Sequence, residues 1–265
     1  MSAVRALVVA LGLAVALVAA GCGAGNEAAS TTTTTPAPTT TTTTPPKTTT
    51  VRVYFLRGGQ VWPVAREVER GPLMFADTLE VMGNGPTTRE SRSLALTSAI
   101  PKTPNRAWVL DRAPGGFGPA TLQAPASLSR PALAQAVYTL TAFPTVTSVM
   151  YEGKRYTRAD FEEQTPPILV ESPLSGQTVS RPIRVTGTAN TFEATFQHEL
   201  RGPDGKILSK HFEMATSGSG TRGTFDFTVR YKLDKAGLGK LVLYEDSAEN
   251  GARIHVQEIP LELSP

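Results

Sequence analysis

The chain has 265 residues, of which 40% are hydrophobic and 18% are charged, and its formal net charge at neutral pH is +3. This length and hydrophobic content are enough to bury real cores, and they suggest two small domains rather than one large one. The charge is mild and no run of Lys or Arg occurs, so nucleic-acid binding, which needs a basic stripe, is not indicated.

Residues 1–21 have the layout of a secretory signal peptide. One positive charge, Arg5, precedes an apolar run from Ala6 to Ala20 that ends in small residues. About 15 apolar residues are too few for a bilayer-spanning helix, which needs roughly 20, so we expect cleavage. An uncleaved N-terminal helix with an incidental cysteine is the alternative.

The only cysteine, Cys22, directly follows Ala-Ala-Gly at the expected cleavage point. This arrangement resembles the lipobox of a bacterial lipoprotein, with Ala19 where that family prefers Leu. The resemblance implies that Cys22 is lipidated, with acyl chains such as palmitate, and anchors the protein to the extracytoplasmic face of the cell membrane. Since there is no second cysteine, the folded regions must be stable without an intramolecular disulfide.

Residues 22–50 continue from this cysteine as a tract made largely of Thr and Pro. The tract offers almost nothing that can be buried, so we predict a disordered tether. At about 3.1 Å per residue in polyproline-like geometry, it would reach up to roughly 80 Å from the membrane, into or across a cell-wall layer. A plain spacer and an O-glycosylated tract are both compatible with this composition.

Residues 51–160 are predicted to form an α+β domain. Two β-rich runs joined at Gly58-Gly59 predict a hairpin. A first helix is predicted from apolar residues at spacings i, i+4 and i+7, namely Phe75, Leu79 and Met82. A second helix is predicted over residues 129–144 with Pro131 in its first turn, and strand character returns after it, with a turn at residues 152–154.

Four stretches of this region carry a family resemblance: VRVYFLRGGQVWPVAREV, LEVMGNGPTTRE, TSAIP and LAQAVYTLTAFPTVTSVMYEGK. Together they resemble the GerMN domain, which occurs in bacterial sporulation and germination proteins and in many other lipoproteins. The resemblance covers almost all of residues 51–157. Residues 112–127 depart from the family pattern, which usually has a strand with an acidic residue at this place.

Residues 166–265 follow a polar, proline-terminated joint at residues 162–167. Seven short runs rich in Val, Ile, Leu, Phe and Tyr are separated by turn residues, and no helical pattern occurs. This spacing predicts an all-β, antiparallel sandwich of immunoglobulin type, held by its apolar layers alone. The stretches SPLSGQTVSRPIRVTGTANTFEATF and SAENGARIHVQEIPLEL resemble the immunoglobulin-like domain of bacterial spore germination, which often follows GerMN.

We expect no catalytic, metal or cofactor site. His198, His211 and His255 lie on predicted strands without a short metal-ligand spacing, and we expect them to face solvent. No serine lies in a Gly-x-Ser-x-Gly elbow. The acidic pairs at residues 162–163 and 245–246 lie at the joint and at a strand end, where we expect them to be solvated.

Four residues are candidates for contact or packing. Trp62 and Trp108 could stack on sugars, although core or interface packing is the favoured interpretation for each. Phe192 and Glu193 begin a strand in the stretch that resembles the germination domain, and we interpret them as packing first.

These observations lead to the hypothesis of a lipid-anchored, non-enzymatic binding or scaffolding protein of the cell envelope. Its expected partners are the cell membrane, through the anchor, and an envelope protein or cell-wall polymer. The family resemblance implies sporulation or germination without establishing it, because folds host many functions. An enzyme or accessory factor acting on peptidoglycan is the alternative. A solute-capture lipoprotein is a weaker one, since such proteins usually need two lobes around a cleft and neither region is large enough for that.

Overall fold

A computed structural model describes residues 47–101, 109–111, 117–124 and 126–265. The predicted signal peptide, Cys22, Trp108 and most of the predicted tether lie outside these ranges. The described residues are mostly β-sheet with a few helices, and all belong to one compact unit. No helix among them is long and apolar enough to cross a membrane.

A long hairpin begins the described chain. Strands β1 (Thr48–Arg57) and β2 (Gln60–Glu69) pair antiparallel over their full length. The tight turn between them is possible because Gly58 and Gly59 have φ angles of 58° and 82°. The predicted hairpin is therefore confirmed, and β1 begins inside the segment that the composition assigns to the tether.

Helices α1 (Met74–Gly83) and α3 (Arg130–Leu140) pack on this hairpin. Leu79 and Met82 of α1 are fully buried, which confirms the spacing that predicted the helix. In α3, Pro131 lies in the first turn as predicted. The buried Gln135 of α3 connects the helix to β1, because its amide donates to the carbonyl of Tyr54 at 3.1 Å.

Helix α2 (Thr88–Ser93) is short, polar and without buried residues, and sequence periodicity did not predict it. A capping box begins it, since Thr87 accepts from the Glu90 amide while Glu90 accepts from the Thr87 amide. Arg66 of β2 donates to both oxygens of Glu90, at 2.7 and 2.6 Å, and so attaches α2 to the hairpin.

Two further sheet segments complete the N-terminal region. Strand β3 (Leu96–Thr97) pairs with β1. Strands β4 (Val109–Asp111), β5 (Gly118–Gln123), β6 (Val146–Tyr151) and β7 (Lys154–Tyr156) form a second sheet in that order. The last two confirm the strand character predicted after the second helix, and β5 lies in the stretch that departs from the GerMN pattern.

The C-terminal region is a sandwich of two sheets. One has the order β13-β10-β8 and the other the order β12-β11-β14-β15-β9. Seven of these strands confirm the seven predicted runs, and the two-residue β9 is additional. Their bounds are β8 (Ile168–Ser172), β9 (Thr178–Val179), β10 (Ile183–Ala189), β11 (Thr195–Arg201), β12 (Ile207–Met214), β13 (Gly223–Val229), β14 (Gly237–Asp246) and β15 (Arg253–Leu263).

The two regions meet at a polar junction centred on Glu171 of β8. This carboxylate accepts hydrogen bonds from the Tyr54 hydroxyl and from Arg158 at 2.7 Å, and it contacts Arg52 at 3.4 Å. Burial by itself would raise the pKa of Glu171, but Arg158 and the other donors outweigh it, so the pKa is lowered. Strand β1 thus contacts β8, the first strand of the sandwich, directly.

A 3-10 helix over Arg158–Gln164 leads into the joint at residues 162–167. Its Phe161 is fully buried, and Glu162 receives two hydrogen bonds from Arg222 of the sandwich, each 2.9 Å long. The expectation that Glu162 is merely solvated is wrong, because the joint packs against both regions. Glu163 is exposed, as expected.

Candidate functional site

Three of the four contact candidates, Trp62, Phe192 and Glu193, lie within the described residues. Trp62 is only 4% exposed and lies at the junction, where it lines a narrow crevice with Leu169 and Ile259. The guanidinium of Arg57 lies 4.6 Å from the centre of its ring. This ring is therefore covered, which leaves it no free face for a sugar. Trp108, like Cys22, lies outside the described residues.

The prediction that Phe192 and Glu193 begin a strand is wrong, because β11 begins at Thr195 and these residues form a strained turn between β10 and β11. Glu193 and Ala194 have φ angles of 51° and 59°, in the left-handed region that non-glycine residues seldom occupy. The Phe192 amide donates to Glu245 at 2.8 Å, and the Glu193 amide donates to Ser219 at 3.0 Å. The turn is thus held in place while the Phe192 side chain remains 56% exposed.

Glu245 holds this turn through the hydrogen bond that it accepts from the Phe192 amide. It is 7% exposed, and its second oxygen lies 2.7 Å from Nδ1 of the exposed His255. The expectation that Glu245 is solvated is therefore wrong, whereas its neighbour Asp246 is exposed as expected. A buried carboxylate that binds a backbone amide and an imidazole is fully engaged in the fold.

The most distinctive surface is the outward face of the five-stranded sheet. Phe196, His198 and Leu200 of β11 are buried in the sandwich, so the alternate residues Glu199 and Arg201 face outward. The strand register places Glu199 opposite Lys210 of β12. We call this surface the outer face, and its members are Glu199, Arg201, Lys210, Phe212, Met214, Tyr244 and Arg253.

A buried carboxylate organises the outer face. Glu199 is 0% exposed because the long side chains of Arg201 and Arg253 cover it, and both donate hydrogen bonds to it. Lys210 lies 3.5 Å from the same carboxylate, and the Tyr244 hydroxyl donates to it at 3.2 Å. Three cations thus surround this one buried anion, and the exposed carboxylate of Asp246 lies opposite Arg253 in the strand register.

The cations around Glu199 lower the pKa of its carboxyl group. Burial alone would raise this pKa, but the hydrogen bonds from Arg253 and Arg201 outweigh that effect and hold it at about 2. The carboxylate is therefore ionised at any physiological pH. Because it is permanently charged, it keeps both guanidinium groups in one place.

Apolar side chains lie beside these charges on the outer face. Phe212 and Met214 of the edge strand β12 are 66% and 61% exposed. The guanidinium of Arg253 lies over the ring of Tyr244, 4.0 Å from its centre. Aromatic residues, Met and Arg are the types enriched where proteins bind other proteins, whereas isolated exposed apolar residues are common on any surface.

The histidines do not form a site together. His211 and His255 are exposed, as expected, but His198 is 1% exposed and stacks on Phe227 at 5.0 Å, so the expectation that it faces solvent is wrong. Burial lowers the pKa of His198 to about 4, so this imidazole is neutral. Among the residues that the structure describes, no group of three His, Cys, Asp or Glu side chains is arranged to hold a metal ion.

Sequence reasoning missed the outer face. A single strand shows Glu199 only as an outward residue, and outward carboxylates are ordinarily solvated. Its partners Lys210, Tyr244 and Arg253 come from other strands, so the cluster depends on the strand register. His198, in contrast, shares its strand parity with Phe196 and Leu200, and that parity could have predicted its burial.

Comparison with protein families gives a match within the sandwich region. Residues 167–252 match the family model described as Gmad2, the immunoglobulin-like domain of bacterial spore germination. The match spans the Phe192 turn and most of the outer face, and it confirms the resemblance inferred for this part of the chain. The GerMN resemblance of residues 51–157 stays a prediction. A comparison with curated proteins found no match.

Proposed function

We propose that this protein is a lipid-anchored, non-enzymatic lipoprotein that binds a protein of the cell envelope through the outer face of its immunoglobulin-like domain. The observation that carries the proposal is the outer face itself, where exposed Phe212 and Met214 lie beside a fixed group of cations. The match to the spore-germination domain supports a sporulation- or germination-associated setting for this binding.

The outer face has the physical properties of a binding surface. Arg201 and Arg253 are held by Glu199, so little conformational entropy is lost when they meet a partner. Phe212 and Met214 offer apolar area that water leaves on association. Arg201, Lys210 and Arg253 present cations beside this apolar area, which favours a partner with acidic residues around an apolar centre.

The proposed anchor is consistent with the way the described chain begins. A lipidated Cys22 followed by the Thr/Pro tract would connect to β1, which starts at Thr48 and pairs with β2 along all of its residues. The tether would therefore be attached to a sheet rather than to a loose end.

The engagement of the acidic residues supports a non-enzymatic role. Glu245 binds a backbone amide and His255, Glu162 binds Arg222, and Glu199 is covered by arginines. A general acid or base must instead reach the substrate. These carboxylates act in the fold, which favours binding over peptidoglycan hydrolysis.

The test is site-specific photo-cross-linking in intact cells that express the full chain. A photoreactive amino acid replaces Phe212 in one variant and Thr228, exposed on the opposite sheet, in the matched control. We expect position 212 to capture a discrete protein that position 228 does not capture. Equal capture at the two positions, or none at position 212, would contradict the proposal.

Two further measurements address the anchor and the enzymatic alternative. Metabolic labelling with an alkynyl fatty acid is expected to mark the chain and to fail with Cys22→Ser; label that persists on this variant would exclude the anchor. Incubation of the purified protein with isolated peptidoglycan is expected to release no soluble fragments. Release that a carboxylate substitution abolishes would establish the enzyme instead.

A further inference from the structure

A groove at the side of the immunoglobulin-like sandwich carries unbalanced positive charge. Its volume is about 730 Å³, within the range of roughly 300–1,000 Å³ that is usual for ligand sites. Arg181, Arg230 and Lys232 contribute the charged walls, and Ile207, Leu208 and Tyr231 contribute apolar surface. None of the described residues that line it is acidic.

The groove cations differ from the other cations of the sandwich. Residues 167–265 are all described, and most Arg and Lys side chains there have a carboxylate partner, as Arg184 has in Asp226. The ones without such a partner in this range are Arg181, Arg230, Lys232 and Lys235. Three of these four line one groove, so the charge is concentrated there rather than scattered.

The floor of the groove is built into the fold. Tyr231 is only 6% exposed, and its hydroxyl donates to the carbonyl of Ser264 at 2.7 Å. Arg230 and Lys232, on either side of it, are exposed, so two cations flank a fixed aromatic ring. Ile207 from β12 is 48% exposed and adds apolar area beside the ring.

Several unpaired cations along one open groove match a ligand that has repeated negative charges. Guanidinium groups bind phosphate oxygens through two parallel hydrogen bonds, and they lose less hydration than an ammonium does when they bind. The apolar floor would contact the carbon atoms between successive charges. A single carboxylate or phosphate would leave most of the groove unused.

We propose that this groove binds a phosphodiester chain. Arg181, Arg230 and Lys232 pair with its phosphates, and its aliphatic units lie against Ile207 and Tyr231. None of the residues that line the groove is a member of the outer face, although Ile207 lies opposite Arg201 in the strand register. Binding in the groove requires neither the anchor nor the protein partner of the proposed function.

The experiment measures binding of a fluorescent glycerol phosphate oligomer to the full chain in detergent by fluorescence anisotropy. Arg230→Glu and Arg181→Glu are each expected to weaken binding by about tenfold or more, because each reverses a charge in the groove. Lys235→Glu is the matched control, since Lys235 is exposed and unpaired but does not line the groove; it should change affinity by less than about twofold. Affinity should also fall as the salt concentration rises.

Two competitors test which kind of anion the groove binds. Polyglutamate of matched charge is expected to compete poorly, and so is monomeric dihexanoyl phosphatidylglycerol, which carries one phosphodiester in a lipid. Equal competition by polyglutamate would overturn the assignment of the ligand charges to phosphates. Binding of the lipid but not of the oligomer would overturn the assignment of the ligand to a polymer with repeated phosphodiesters. Absence of binding, or an equal loss with Lys235→Glu, would overturn the site itself. Thermal unfolding of each variant shows whether a loss of binding comes from misfolding.

Discussion

At the scale of single residues, Glu199 illustrates how one buried charge can be stabilised. It is fully covered, yet its pKa lies at about 2, below the ordinary value of 4.5, because the hydrogen bonds from Arg253 and Arg201 outweigh the burial that opposes ionisation. The folded state therefore binds a proton at this site less readily than the unfolded state does. The stabilisation is fully present above about pH 4.5 and is lost as the pH falls towards 2.

The Glu199→Gln variant tests this pH dependence. A shift of this size corresponds to up to about 3 kcal/mol of the free energy of unfolding at neutral pH. We expect the variant to be less stable than the parent at pH 7, and the difference to shrink below about pH 4 as Glu199 becomes protonated in the unfolded parent chain. Urea unfolding at several pH values measures the difference in stability at pH 7 and its decrease at low pH. A difference that stays constant from pH 7 to pH 2.5 would contradict the charge argument.

At the scale of elements, the close approach of β8 and β10 depends on Gly187. A Cβ atom at this position would lie 2.1 Å from the carbonyl oxygen of Leu169 and 2.5 Å from the ring of Phe225. The ladder between the two strands is irregular between Thr186 and Gly187. The glycine thus lets β10 lie between β8 and β13, because its position leaves room for the Leu169 backbone and for the Phe225 ring.

We expect Gly187→Ala to destabilise the sandwich by about 3 kcal/mol or more, because the backbone of Leu169 cannot move without breaking the ladder. Urea unfolding measures the change. Gly71→Ala is the control, since a Cβ there meets nothing within 4 Å, and it should shift stability by less than about 0.5 kcal/mol. Equal effects of the two substitutions would show that the close approach has no consequence for stability.

Elements with a strong periodic signal were predictable from the sequence. The hairpin at Gly58-Gly59, the helix containing Leu79 and Met82, and the seven strands of the sandwich follow from spacing and turn residues alone. Helix α2 escaped prediction because it buries nothing, although Thr87 and Glu90 form a capping box that the sequence shows. The Glu199 cluster could not be predicted, because it combines residues from four strands whose register only the fold defines.

At the scale of the whole molecule, the junction connects the N-terminal region to the sandwich. Arg222 donates to both oxygens of Glu162 and to the carbonyl of Pro166 at 2.9 Å, so one side chain of the sandwich fixes the joint. The Arg222 side chain is 15% exposed and that of Glu162 is 42% exposed, so solvent screens the pair in part. Tyr138 of α3 lies close by and shares a hydrogen bond with Thr165 of the joint.

We expect Arg222→Ala to lower the free energy of unfolding by about 1–2 kcal/mol and to speed hydrogen exchange in the 3-10 helix at residues 158–164. Hydrogen exchange with mass spectrometry measures the local effect. Arg184→Ala is the control, because its pair with Asp226 is largely exposed and screened by solvent, so the substitution should leave both stability and exchange in the joint nearly unchanged. Unchanged exchange in the joint with Arg222→Ala would show that other contacts hold the regions together.

The contact between β1 and β8 has a mechanical consequence if the chain is anchored at Cys22 and held elsewhere by a partner. Tension would enter β1 at Thr48 and run along the strand. Within a few residues it would reach Arg52 and Tyr54, which both contact Glu171 of the sandwich. The load would then pass directly from β1 to the sandwich, and most of the intervening chain, including the joint, would be spared the strain.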